Sequence, residues 1–165
     1  MIEAARIELR PDLWWAVALA LDTGQRQGDC LAMRWNAIDA ADRFTVKQEK
    51  TGKEVLVPIH RDLRAVLATI PHHAVTILTN TDGMPWRGGF QMNWNKHKPG
   101  LVRDRGLVFH ELRKSAVVML LEAGCTVAEA SSITGQSYKM VEHDAAQVHR
   151  ANLAASAVLK WENSS

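Results

Sequence analysis

Between Ile38 and Pro58 the apolar pattern of the chain changes period, and that change constrains the fold more than any other feature. Phe44-Thr45-Val46 and Val55-Leu56-Val57 are short runs of β type, separated by the turn residues Lys50-Thr51-Gly52-Lys53. Two such runs around a Gly-containing turn predict a small antiparallel hairpin or meander, with Pro58 closing the second strand. On both sides of it the pattern is helical. Pro11 suits a first turn, and Leu13, Trp14, Val17, Ala18 and Leu21 recur at helical spacing until Thr23-Gly24 breaks it. A second helix is expected from about Arg26 to Trp35, with Cys30, Leu31 and Met33 available to pack inward. A third is expected from Arg61 to Ile70, with Leu63, Val66, Leu67 and Ile70 on one face.

Residues 79–106 are the least regular part, with turn residues in TNTDGMPWRGG, a basic loop in KHKPGLVRDRG and a short helix around Gln91, Asn93 and Trp94. The last third returns to helix. His110 to Ala123 is long and amphipathic, with Gly124 as its C-cap. Thr126 to Thr134 is short and ends at Gly135, and further helical signal runs over Tyr138–Ala146 and Ala151–Trp161. Helices, a small sheet, then helices describe a mainly α domain with a minor antiparallel β-sheet.

A chain of 165 residues is one domain by size, with no internal repeat and no low-complexity linker. A hydrophobic fraction of 47% argues against disorder. No apolar run approaches the ~20 residues that span a bilayer, and the charged start MIEAARIELRPD carries no apolar signal core. Cys30 and Cys125 each fall in an expected helix, and two such thiols point to buried, reduced cysteines and a cytoplasmic location. The 20 basic and 18 acidic residues leave a net charge of +2, which permits nucleic-acid binding without arguing for it.

Three places carry residues able to handle a phosphate. Arg26 sits just after a Thr-Gly turn at a helix start, where its planar, permanently charged fork can reach an anion. His110 and Arg113 are three apart on a helix and share a face. Lys50 leads the hairpin turn. Each has a plainer reading: an exposed helix-start arginine, a solvated helix start, and a surface lysine. Nothing makes a convincing metal site. His72 and His73 are adjacent and point apart, and His143 and His149 are six apart, off-register for one helix face.

Order and context separate these readings. TGQRQGDCLAMRWNAID resembles the first arginine motif of the tyrosine recombinases, the phage integrase family; KTGKEVLVP resembles its β-hairpin motif, and HELR its His-x-x-Arg motif. ASSITGQS is similar to the segment where the family usually has a Gly-His pair, and MVEHDAAQV to its tyrosine-bearing helix. The likeness runs from about Leu13 to Trp161. It implies the catalytic-domain fold of that family for residues 1–165, without the family's N-terminal DNA-binding domain, in a bacterial or phage-encoded protein of a prophage or mobile element. It implies double-stranded DNA as partner, no cofactor and no metal, and self-association on DNA through the C-terminal segment, whose Leu153, Ala157, Val158 and Trp161 form an apolar stripe.

The resemblance also implies roles. Arg26 and Arg113 each offer two N–H groups to phosphoryl oxygens. Lys50 is the general acid for the departing 5′-oxygen, and His110 a hydrogen-bond donor or base beside the nucleophile. Gln136 stands where the family usually has an imidazole; its amide can donate but carries no charge. Eight residues further, at about the spacing of the family's tyrosine, stands Asp144. A carboxylate there brings negative charge toward an anionic phosphate and has no phenol to form a phosphotyrosyl link. The single tyrosine, Tyr138, comes too early. Two functions remain as alternatives: a recombination domain that has lost its nucleophile, and a DNA-binding or regulatory module derived from one. A generic helical interaction protein is the third reading, and it requires three ordered motifs to match by chance.

Overall fold

The computed structural model describes residues 9–98, 106, 108–146, 158 and 162. Helix α1, Pro11–Thr23, is the centre of the domain. Pro11 occupies its first turn, and Gly24 ends it in a left-handed conformation (φ +62°), donating its N–H to the Ala20 carbonyl. Leu13, Ala16, Val17, Ala18, Leu19 and Ala20 are all buried, so the helix is enclosed on most sides rather than along one stripe. It packs against the later helix Glu111–Glu122.

Helix α2, Gln27–Ala32, is shorter than the run of Arg26 to Trp35 expected from the sequence. Competition for its backbone groups cuts it short. Met33 turns extended (ψ 136°), its carbonyl accepts the Ile77 N–H, and the Trp35 N–H goes to the Val75 carbonyl. Pairing with the distant segment 75–77 takes backbone groups that a continued helix would have used. A single 3-10 turn at Trp35–Ala37 then leads to the sheet.

Strands β1, Arg43–Lys47, and β2, Glu54–Pro58, form the antiparallel hairpin, in a register that pairs Phe44 with Val57 and Val46 with Val55. Those four side chains are buried while Thr45 and Leu56 between them are exposed, the period-two pattern of a sheet covered on one face. Helix α3, Arg61–Leu67, stops three residues before the expected Ile70. The N–H groups of Thr69 and Ile70 fold back onto Val66 and Leu67 in tight three-residue turns ahead of Pro71. Helix α4, Phe90–His97, includes the expected Gln91, Asn93 and Trp94. Its Phe90 and Trp94 meet Phe109 edge to face at ring separations of 5.1 and 5.3 Å.

Helix α5, Glu111–Glu122, starts from His110 and ends at Ala123, with Gly124 next at φ +90°. Cys125 lies in the turn beyond it, not in a helix as its sequence context suggested; its N–H is bonded to the Leu120 carbonyl. Helix α6, Val127–Thr134, opens with a capping box of Thr126 and Glu129 and closes at Gly135 (φ +67°). It packs on both β2 and α5. Helix α7 covers 138–146, and its Val141 is buried with Val117 of α5 and Ala130 of α6. Of the C-terminal segment expected over 151–161, only Val158 belongs to the described residues, and most of the basic loop at 96–106 lies outside them. No helix among the described residues is long and apolar enough to cross a membrane.

Candidate active site

The ends of α1 and α6 meet at Gly24, and the hairpin joins them through Gln48, which donates to Gln25 and to the Thr134 carbonyl. A methyl group added to Gly24 would lie 2.5 Å from Thr134 Cγ2 and 3.5 Å from Ala116 Cβ, so a bare backbone is what lets the end of α1 approach α5 and α6. The Gly24 carbonyl accepts Arg113 Nη1 at 2.9 Å. Arg113 is only 5% exposed, on the same face of α5 as Ala116 and Val117. That excludes the solvated helix start as its explanation. Its Nη2 is enclosed and has no hydrogen-bond partner among the described residues. Burial first, and the neighbouring Arg26 charge second, push Arg113 down to about 10, still well above neutral pH.

Arg26 is the residue that caps α2, and its side chain remains partly open. Arg26 Nη1 donates to Gln48 Oε1 at 3.3 Å and lies 3.7 Å from Asp29 Oδ2. Asp29 is itself buried, and its Oδ1 accepts the Glu49 N–H at 2.9 Å, which holds the hairpin turn against α2. Two guanidinium groups therefore lie within electrostatic reach of each other with one carboxylate near them. A buried cation is costly unless it is paired and hydrogen-bonded. The arrangement suits an anion with several oxygens.

Gln136 comes directly after Gly135 at the end of α6 and is half-buried. Its N–H reaches Thr134 Oγ1 at 3.3 Å, its carbonyl accepts Ser131 Oγ at 2.7 Å, and its Nε2 is enclosed without a partner among the described residues. Lys50 and His110 stand differently. Lys50 is exposed in the turn two residues beyond Gln48, and His110 is exposed one turn before Arg113. Among the described residues no hydrogen bond or ion pair links either side chain to the two arginines. Asp144 is 5% exposed on α7, one turn past Val141, and none of the described ion pairs joins it to an arginine. Tyr138 begins the same helix and is 58% exposed, beside Lys53, Ser131 and Ser132 in the groove between β2 and α6. Among the described residues no group of three or more His, Cys, Asp or Glu could hold a metal. Cys30, fully buried behind Arg113, is pushed up to about 12 by its burial and then by Asp29, which keeps it a thiol.

Sequence reasoning missed Gln48, Gln25 and Asp29. Gln48 had a signal: Phe44, Val46 and Gln48 continue one inward-facing phase, and a polar residue in a buried phase needs partners. Asp29 was one turn beyond Arg26. Gln25 carried no signal, because its role depends on α6, more than a hundred residues away.

A mainly helical domain with a covered hairpin, one buried arginine and a second, partly open one beside it fits one class, that of the recombinase catalytic domains. The model of the phage integrase family matches residues 8–143. The shufflon-specific DNA recombinase of Escherichia coli is 34% identical over 122 residues, which is 71% of this chain and 30% of that protein. Lambda integrase (75-356), solved as a dimer bound to a COC′ core site, superposes with a TM-score of 0.68 at 26% identity, over 87% of this chain and 55% of that one. XerA recombinase gives a TM-score of 0.72 at 15% identity over 94% of this chain and 61% of that one, a likeness of fold. The chain belongs to the phage integrase family, as a tyrosine recombinase catalytic domain. It spans less than a third of the length of its curated relative.

Proposed function

We propose that this domain binds the backbone of double-stranded DNA with one phosphodiester held between Arg26 and Arg113, and that it serves site-specific recombination or integration. The observation that carries the reading is the Arg113 guanidinium, buried beside Arg26 with its Nη2 unpartnered among the described residues. In this reading Gln136 Nε2 adds an uncharged donor. Lys50 supplies the proton to a departing 5′-oxygen, and His110 hydrogen-bonds near the attacking group. Similarity to lambda integrase solved on DNA as a dimer and as a tetramer supports both the ligand and self-association. Self-association through the segment 151–161 belongs to the same proposal. Sedimentation of the chain truncated after Arg150 tests it, and unchanged self-association counts against it.

A second reading concerns the covalent step, and Asp144 favours it. In the family's chemistry a phenol oxygen attacks phosphorus and the 5′-oxygen leaves with a proton. Asp144, buried on α7, occupies the expected nucleophile position and cannot form that ester. Tyr138 is six residues earlier, about 9 Å along a helix axis, and faces solvent. The domain then holds and aligns DNA without cutting it, as a non-catalytic or regulatory module.

Binding to a fluorescein-labelled duplex, followed by anisotropy as salt is raised, tests the phosphate reading. Affinity should fall steeply with salt, and Arg26→Ala or Arg113→Ala, each of which removes one cationic phosphate contact, should each reduce the slope of log K against log salt by about one. Salt-resistant binding, or binding indifferent to both substitutions, rejects the site.

A further inference from the structure

The proposed phosphate ligands do not explain why a glutamine stands just beyond β1. Gln48 is completely buried, on the face that Phe44 and Val46 fill with apolar side chains. A residue that only filled the core there would be apolar too. An amide side chain offers two acceptor positions at oxygen and two donor hydrogens at nitrogen, and Gln48 uses all four. Its Oε1 accepts from Arg26 Nη1 (3.3 Å) and Thr51 Oγ1 (3.0 Å). Its Nε2 donates to Gln25 Oε1 (2.6 Å) and to the Thr134 carbonyl (2.9 Å). The partners fix which end is which, because a guanidinium only donates and a carbonyl only accepts.

The backbone of the same residue spans the turn. The Gln48 N–H donates to the Lys53 carbonyl and the Gln48 carbonyl accepts the Gly52 N–H, both at 2.8 Å, with Lys50 between them. On the far side Gly135 lies so close that a methyl group there would be 2.5 Å from Gln48 Nε2. Gln25 extends the link by donating to the Ile133 carbonyl at 3.0 Å. One side chain thus touches the first arginine, the lysine-bearing turn and the end of α6 that presents Gln136.

We infer that Gln48 is a positioning residue for the phosphate site: its amide holds Arg26 in place and ties the Lys50 turn to the end of α6. The inference rests on the reading of Arg26 as a phosphate ligand. A saturated, buried polar network transmits position well because no member can move without losing a bond that water does not replace. Gln48 turns Arg26 so that its other N–H groups are presented to an anion, and it fixes the turn from which Lys50 extends.

The test is a double-mutant cycle on affinity for a short fluorescein-labelled duplex at low salt. Arg26→Ala should weaken binding about tenfold in the parent protein and less than about twofold in Gln48→Met, because a released Arg26 no longer contributes. Additive effects of the two substitutions overturn the inference, since a purely structural glutamine would lower stability without removing the contribution of Arg26. If Gln48→Met does not fold, Gln48→Glu carries the test. It keeps an acceptor for Arg26 and loses both donors, so Arg26→Ala should retain its full effect while the Gly52 amide exchanges faster with solvent. Parent-like exchange of that amide overturns the tie to α6. If Arg26→Ala leaves affinity unchanged in the parent protein, the phosphate reading is what fails. The nitrogen-15 signals of the Arg26 side chain then judge Gln48 alone, and signals unaltered by Gln48→Met overturn its positioning role.

Discussion

Glycine is required at Gly24 and Gly135, where helices end against the site, and for two reasons at once, a left-handed backbone and a close neighbour. Gly135 has φ +67°, and an added methyl group would lie 2.5 Å from Gln48 Nε2 and 2.7 Å from Val55 Cγ2. Gly52 has nearly the same φ, +66°, with nothing within 4 Å. The pair separates conformational strain from crowding. Gly52→Ala should cost about 1–2 kcal/mol, the left-handed penalty alone. Gly135→Ala adds overpacking of about 1–3 kcal/mol and should cost on the order of 3 kcal/mol in all. Urea unfolding midpoints measure both. Equal losses would mean that the hairpin and α6 move apart freely, and the close packing around Gln48 would not matter. At the same scale, the burial of Arg113 was not legible in the sequence. HELR reads equally well as a solvated first turn, and only the approach of Gly24 and α1 encloses the guanidinium.

At the scale of elements the sequence was most informative where a signal is local. The hairpin was legible from two short β-type runs around a Gly-containing turn, α1 from Pro11 and its spacing, and α6 from its run up to Gly135. Errors came where distant chain competes for backbone groups. Helix α2 ends early because Met33 and Trp35 bond to the segment 75–77, which nothing in the local pattern announces. The capping box of α6 gives a prediction with a definite sign. Glu129 accepts from the Thr126 N–H at 2.6 Å and from Thr126 Oγ1 at 2.8 Å, and these bonds hold its carboxyl below the usual 4.5. A carboxyl with a lowered folded-state pKa adds stability above its unfolded value, and that stability is lost as pH falls through the folded one. Glu129→Gln should therefore be less stable than the parent at neutral pH. The two should converge only at acid pH below the ordinary glutamate range, once the carboxyl is protonated in the folded state as well. Chemical denaturation across pH 3–7 checks this, and a constant difference over that range would exclude ionised Glu129 as the source.

At the scale of the whole molecule, the two arginines and the end of α6 are brought together by long-range packing of α1, α5, α6 and the hairpin, while α7 adds one buried carboxylate. The family's chemistry needs a phenol at the phosphate. If Asp144 holds the nucleophile position, the rest of the site is intact enough for a single change to return the missing reaction. Asp144→Tyr should give a covalent protein–DNA adduct on a nicked suicide substrate, resolved by denaturing gel. The rate should be low, because Gln136 can offer a phosphate only an uncharged donor where the family usually has an imidazole. Position 144 is only 5% exposed, so the larger ring must find room, and the fold of the variant is checked first by circular dichroism. The parent chain should give no adduct. An adduct from the parent that Tyr138→Phe abolishes would make Tyr138 the nucleophile, despite its exposure and its distance along α7. A folded Asp144→Tyr protein that binds DNA yet forms no adduct would mean that α7 presents another residue to the phosphate. The arginine pair would keep its role in binding, and the loss of cleavage would have to be sought outside position 144.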